Sequence, residues 1–216
     1  MANLILDISV SLDGFVAGPN PTLEHPLGEG GEELHEWAYG LEAFRKPHGM
    51  PGGERNRDSD VMEEHFGRLG ATIMGRRMFS GGSGPWESDP NADAWWGEDP
   101  PFHHPVFVLT HHPRETVTKD GGTTFTFVTE GADVALELSR EAAGDKDIAI
   151  GGGANVAQQY LKAGLVDELQ LHVAPIFLGD GVRLFEGHAR SDQIKLEPTR
   201  VIESPAVTHL QYRLGN

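Results

Sequence analysis

The sequence predicts an α/β fold: a three-layer sandwich around a mostly parallel mixed sheet, closed by antiparallel strands at the C-terminal end. Three observations predict it. Short apolar runs alternate with helical patterns along most of the chain, as strand–helix–strand units do. Residues 167–174 and 207–213 instead carry the alternation of antiparallel strands. The stretch IAIGGGANVAQQYLKAGLVDELQL, from Ile148 to Leu171, runs an apolar strand through three glycines into a helix.

Taken in order, residues 4–10 read as a buried first strand, followed by a turn at Leu12, Asp13 and Gly14. Residues 18–60 are rich in Gly, Pro and charge. Within them, residues 32–44 read as one amphipathic helix, because Leu34, Trp37, Ala38 and Leu41 recur at helical spacing. Asp58, Ser59 and Asp60 offer an N-cap for a helix over 61–69. A strand over 71–74 follows, turning at Gly75. Residues 81–101 form a second Gly/Pro/Trp-rich loop. Strands are expected over 105–110 and 125–128, a helix over 133–143, the strand 148–150, and a helix over 155–163. A turn at Gly179, Asp180 and Gly181 separates the two antiparallel strands. There is no internal repeat, and one domain over 1–216 is expected.

Composition narrows the function. The 216 residues are 38% hydrophobic and 23% charged, ordinary for a soluble chain with a real core. No apolar run approaches the ~20 residues that span a bilayer, and the first residues lack a basic, signal-like segment; a cytoplasmic protein is expected. The absence of cysteine excludes disulfides, thiolate nucleophiles and cysteine-bearing zinc sites. A net charge of −16 argues against nucleic acid and anionic membranes as partners, while leaving room for one local basic pocket.

Three glycines in a row are costly, because glycine loses the most conformational freedom on folding. Glycines after a strand allow close backbone approach to a ligand, and the first-turn amides of the next helix favour an anion such as a pyrophosphate. The pattern Gly151, Gly153, Val156 lacks the third glycine of the dinucleotide fingerprint, so a tight packing turn explains it equally well. Two other strand ends favour the ligand. Gly75, Arg76 and Arg77 follow one; Thr110, His111 and His112 follow another. Ligands in open α/β sheets sit beyond the carboxyl ends of the strands, and arginine forks suit a terminal phosphate.

These pieces resemble the dihydrofolate reductase-like superfamily, most closely the branch related to the reductase domain of the bifunctional riboflavin-biosynthesis deaminase-reductase. The matching stretches are SLDGFVAG, ATIMGRRMF, VFVLTHHP and IAIGGGANVAQQYLKAGLVDELQLHVAPIFLGDGVRLF, in the family's order. The resemblance implies a reductase, of the kind with 5-amino-6-(5-phosphoribosylamino)uracil reductase activity, that binds NADPH in an extended pose. It implies that Gly151, Gly152, Gly153, Ala154 and Asn155 hold the pyrophosphate. Arg76, Arg77, Thr110 and His111 would surround the adenosine 2′-phosphate, with Gly75 in contact. Gly14, Phe15, Val16 and Ala17 would lie along the nicotinamide, and a homodimer is implied. Two departures, Met78 where threonine is common and Ala157 where true dihydrofolate reductases carry tyrosine, argue against folate as substrate.

Hydride transfer also needs a proton. A carboxyl in a partly dry pocket could supply one. Glu33, beside Leu34 and one turn from Trp37, is the candidate, with His35 and Glu36 as alternatives; a solvated helix face explains all three as well. Trp37, Trp86, Trp95, Trp96 and Phe102 are candidate walls for a flat substrate, or simply loop anchors. Asp13 reads as a turn residue. A metallohydrolase built on His103/His104 and His111/His112 is disfavoured, because adjacent strand residues face opposite ways and no H-E-x-x-H occurs. A serine hydrolase lacks its G-x-S-x-G elbow. The remaining alternative is a dinucleotide-binding protein of the same fold without catalysis.

Overall fold

The computed structural model describes residues 2–92, 96–186 and 194–215. β1 (Leu4–Ser11) leads into the short β2 (Phe15–Ala17). After α1 (Glu36–Tyr39), α2 (Glu42–Arg45) and α3 (Arg57–Arg68), β3 (Leu69–Gly75) runs directly into α4 (Arg76–Ser80). β4 (Pro105–Leu109), β5 (Val117–Thr118) and β6 (Thr124–Val128) precede α5 (Ala132–Ala143), β7 (Asp147–Ile150) and α6 (Ala154–Lys162). β8 (Glu168–Ala174), β9 (Val182–Arg183), β10 (Lys195–Glu203) and β11 (Thr208–Gly215) complete the chain.

Nine strands form one sheet in the order β10-β11-β8-β1-β7-β3-β4-β6-β5, and β2 pairs with β9 in a separate ribbon. The centre is parallel: β1 with β7 and β8, β3 with β7 and β4, β4 with β6. β8/β11, β10/β11 and β5/β6 are antiparallel. Parallel strands are covered on both faces and read as near-continuous apolar runs; Leu4, Ile5 and Leu6 are accordingly all fully buried. The main core joins β1, β3, β7 and β8 to α5 and α6, and a smaller one gathers Met74, Phe79, Val106, Val108 and Phe125.

The expected helix over 32–44 is broken. Gly31–His35 is a 3₁₀ turn, α1 follows, and Leu41 is extended before α2 begins. The cause is a backbone pairing that residue periodicity does not reveal: the Glu42 N–H donates to the Glu54 carbonyl at 2.9 Å, and the Glu54 N–H to the Gly40 carbonyl at 2.9 Å. The apolar positions nonetheless face inward, with Leu34, Ala38 and Leu41 buried. The cap of α3 also differs. Asn56 Oδ1 accepts from the Asp58 and Ser59 amides at 3.0 Å each, and Asp58 and Ser59 are buried within the helix. Strand β10 had no sequence signal, because it lies at the sheet edge with all but Ile202 exposed and carries Pro198, a residue that edge strands tolerate.

At the amino ends of the central strands, Arg68 ties α3 to two of them. Its Nε donates to Asp147 at 2.8 Å, and its terminal nitrogen to Glu168 at 2.7 Å. Arg68→Met should remove these charge-assisted bonds and cost about 1.5–3 kcal/mol. Urea denaturation measures it; an unchanged midpoint would show that the clamp contributes nothing.

Candidate functional site

The carboxyl ends of β7, β3 and β4 meet at one corner. Beyond Ile150 the chain turns through the three glycines and is stitched to β3: the Gly151 N–H donates to the Ile73 carbonyl at 2.9 Å, and the Gly75 N–H to the Gly152 carbonyl at 2.8 Å. The Gly152–Gly153 peptide is cis. The glycines serve different ends. A Cβ on Gly151 would lie 2.8 Å from Thr72 Cγ2, and one on Gly75 would lie 3.0 Å from Val156 Cγ2; both are needed for close packing. Gly152 has φ +108°, which L side chains rarely adopt. A Cβ on Gly153 would meet nothing within 4 Å, so this glycine borders open space. The amides of Ala154 and Asn155 open α6 there, and first-turn amides have no intrahelical acceptor. Ala157, by contrast, is fully buried in the core.

The arginine pair is split. Arg76 is 7% exposed, and its guanidinium is turned inward to Asp89 and Ser80 while stacking 3.6 Å from the Trp86 ring centroid. Asp89 also accepts from the Ser80 hydroxyl at 2.6 Å. Burial would raise the Asp89 pKa, but the bonds from Ser80 and Arg76 outweigh it and hold the carboxyl below its usual range. Arg76 therefore anchors the loop after α4 instead of offering a free charge. Arg77 is exposed. One strand over, Thr110 is buried and its Oγ1 accepts the His112 N–H at 3.1 Å, stabilising the turn that leaves His111 exposed. The register Gly75↔Leu109 sets these two strand ends side by side.

The turn after β1 is more elaborate than a bare Asp-Gly turn. Asp13 accepts from the Ser11 hydroxyl at 2.6 Å, the Gly179 N–H at 2.7 Å and the Leu178 N–H at 3.2 Å, so its carboxylate joins two loops. The Ser11 hydroxyl bond is the chief cause of its lowered pKa. Gly14 has φ +88°. Arg183 donates to the Asp13 carbonyl at 2.8 Å and stacks 4.2 Å from the Phe15 centroid, while Gln158 of α6 donates to the Arg183 carbonyl at 2.7 Å. This run of contacts ties the segment to the glycine-elbow helix. Phe15 and Val16 bury their side chains, so Gly14 and Ala17 offer mainly backbone to a ligand.

A cleft of about 340 Å³ opens at the end of β8, lined by Glu33, Glu36 and Trp37, by Ala174, Pro175 and Ile176, and by Ala206. Trp37 Nε1 donates to Ser9 Oγ at 3.1 Å, which orients the ring. Glu33 and Glu36 are exposed on the rim, without the burial that a dry proton donor requires. His35 is more enclosed; burial lowers its pKa and its Nδ1 has no partner among the described residues. Trp86, Trp96 and Phe102 pack on the smaller core as loop anchors, whereas Trp95 lies outside the described residues. His104 bonds the Thr72 hydroxyl at 2.8 Å and is pushed by burial down to about 4; no metal-holding cluster occurs among the described residues.

Sequence reasoning missed a buried chain of Asp and His side chains behind Trp37, built from Asp7, His172, His209 and Asp58. A signal existed: Asp7, Ser9 and Ser11 alternate in the otherwise apolar LILDISVS, placing polar groups on one buried face.

Comparison with known proteins identifies the class. The RibD C-terminal domain model matches residues 2–210, and the chain belongs to that family. Among individual relatives, the uncharacterised YyaP of Bacillus subtilis strain 168 is 23% identical over 94% of this chain and 91% of its own. YwjB of the same organism is 31% identical over 35% of this chain and 42% of its own. A structure assigned to riboflavin biosynthesis from Shewanella sp. PV-4 superposes with TM-score 0.62 at 23% identity, covering 100% of both chains. The riboflavin biosynthesis reductase Rib7 of Saccharomyces cerevisiae gives 0.55 at 13% identity, covering 99% of this chain and 90% of that one. These likenesses place the chain in the dihydrofolate reductase-like fold.

Gly151→Ala should force Cβ against Thr72, an overpacking that costs about 1–3 kcal/mol. A thermal unfolding midpoint equal to wild type would mean that the elbow is not packed against β3 as described.

Proposed function

We propose that this protein is an NADPH-dependent reductase acting on a small heterocyclic substrate, pteridine- or pyrimidine-like, or on a related carbonyl or imine compound. The observation that carries this reading is the open side of the elbow, where Gly153 faces free space above the first-turn amides of α6 while Gly75 and Gly152 lock the neighbouring strand end alongside. Membership of the RibD C-terminal family, whose members are reductases, supports it.

The residues present fit the cofactor. Main-chain amides at Gly152, Gly153, Ala154 and Asn155 suit a diphosphate, while Gly151, whose own N–H is taken by the Ile73 carbonyl, supplies the close packing that sets them there. Arg77 and His111, exposed on adjoining strand ends, suit the 2′-phosphate, with Thr110 shaping the turn between them. Arg76 has a supporting part there, since its charge is already met by Asp89. The Gly14–Ala17 backbone would border the nicotinamide, and Trp37 would stack on a flat substrate in the adjoining cleft. NADPH supplies the hydride. The chain's own residues orient both reactants and exclude water; Glu33 remains a candidate only for contacting substrate at the rim.

Gly153→Ala is the direct test, because its Cβ disturbs no neighbour. It should leave the unfolding midpoint unchanged and weaken both NADPH and NADH by about tenfold or more, the scale of losing charge-assisted bonds. Calorimetric titration reads both; unchanged affinity would overturn the elbow's assignment. Arg77→Ala should weaken NADPH about tenfold more than NADH, and equal losses would remove the 2′-phosphate role. Turnover across a pteridine, pyrimidine and imine panel distinguishes a reductase from a binding protein.

A further inference from the structure

The buried chain behind Trp37 spans four elements. Asp58 of α3 accepts from His209 Nε2 of β11 at 3.0 Å; His209 Nδ1 meets His172 Nδ1 of β8 at 2.6 Å; His172 Nε2 meets Asp7 of β1 at 3.0 Å. His172 and His209 are 5% and 1% exposed and Asp58 4%. Each of these three contacts needs one proton between its atoms, because two lone pairs at such distances repel. Two neutral imidazoles bring only two protons. With both aspartates as acceptors, the ring pair must carry a third, so one ring is an imidazolium.

We propose that the His172–His209 pair holds this extra proton and that the resulting shared cation is a positioning group for Trp37, the ring that walls the cleft. Trp37 packs on both rings, 4.8 Å from the His172 centroid and 5.3 Å from that of His209. A cation within about 6 Å of an indole is attracted to its ring, the more so when both are desolvated. The Ser9 hydroxyl, opposite His172 in the β1/β8 register, takes the indole N–H. The orientation of the cleft wall thus depends on a proton stored behind it.

Burial would raise the Asp7 pKa, but the neighbouring His172 and His65 imidazoles, with the hydrogen bond from His172, outweigh it and hold the carboxyl well below its usual range. Burial lowers the pKa of His209 more than the Asp58 bond raises it. His65 of α3 lies 3.5 Å from Asp7 and is itself lowered by burial. His35 of the 3₁₀ turn and Gln170 of β8 complete the polar environment, and Arg68 and Glu168 lie beyond His65. The importance of Trp37 as a wall rests on reading the cleft as the substrate site; the proton count does not.

Nitrogen-15 NMR of wild-type protein labelled at histidine tests the count without any cofactor. The expected result is three exchange-protected ring N–H protons on His172 and His209, one attached to Nδ1. A single N–H on each ring would overturn the proposal. Fluorescence tests the coupling, since imidazolium quenches indole more than neutral imidazole does. Trp37 emission, taken as wild type minus Trp37→Phe, should rise as the Nδ1 proton signal is lost with increasing pH. It should be high and pH-independent in His172→Gln. An identical pH response in Trp37→Phe would overturn the coupling, and this arm stands even where His172→Gln does not fold. If NADPH fails to bind while three protons are found, the reductase reading falls and this one survives.

Discussion

The structure depends on one close approach: the backbone beyond β7 lying against the end of β3, joined by the Gly75 N–H to Gly152 carbonyl bond. Parallel strands end with their amides and carbonyls unspent, and a helix following at once brings further free donors to the same place. Side chains at Gly151 or Gly75 would push the strand ends apart. Removing them lets two βα turns share one corner, and that corner becomes a polar, backbone-lined site in an otherwise strongly acidic protein. The conformational cost of the three consecutive glycines is thereby explained by packing at Gly151, by backbone conformation at Gly152 and by free space at Gly153.

The β1 side of the molecule follows a different logic. Polar residues from β1, β8 and β11 share a buried sheet face beneath α1 and α3, where each charged group must find a partner or be costly. Asp13 performs a similar role in the turn just after that strand, joining it to the 178–179 loop. Both arrangements hold short or irregular segments, the 3₁₀ turn with α1 and the β2/β9 ribbon, in addition to the burial of Leu34, Ala38, Phe15 and Val16. The cleft is therefore bordered by elements whose positions are set by buried hydrogen bonds as well as by hydrophobic burial.

Much of this was legible in the sequence. The apolar runs gave β1, β3, β4, β6 and β7, and the Gly-Gly-Gly step gave the βα elbow, because buried parallel strands and helix starts are written locally. Long-range pairings were not. The helix over 32–44 broke because Glu54, twelve residues beyond Glu42, competes for its backbone. Asp58 was read as a cap on local grounds, yet its carboxylate belongs to His209, 151 residues away. Arg76 and Arg77 look equivalent as neighbours; the start of α4 sends one side chain inward to Asp89 and the other to solvent. Edge strand β10, exposed along most of its length, leaves too little alternation to read.

The central claim, that main-chain amides past Ile150 form an anion site sharing a corner with the end of β3, is tested most directly by a crystal structure of the protein grown with NADPH. The account predicts density for a diphosphate against residues 151–155, with the adenosine phosphate between Arg77 and His111. A fully occupied dinucleotide bound elsewhere, with the elbow amides facing only solvent, would contradict it.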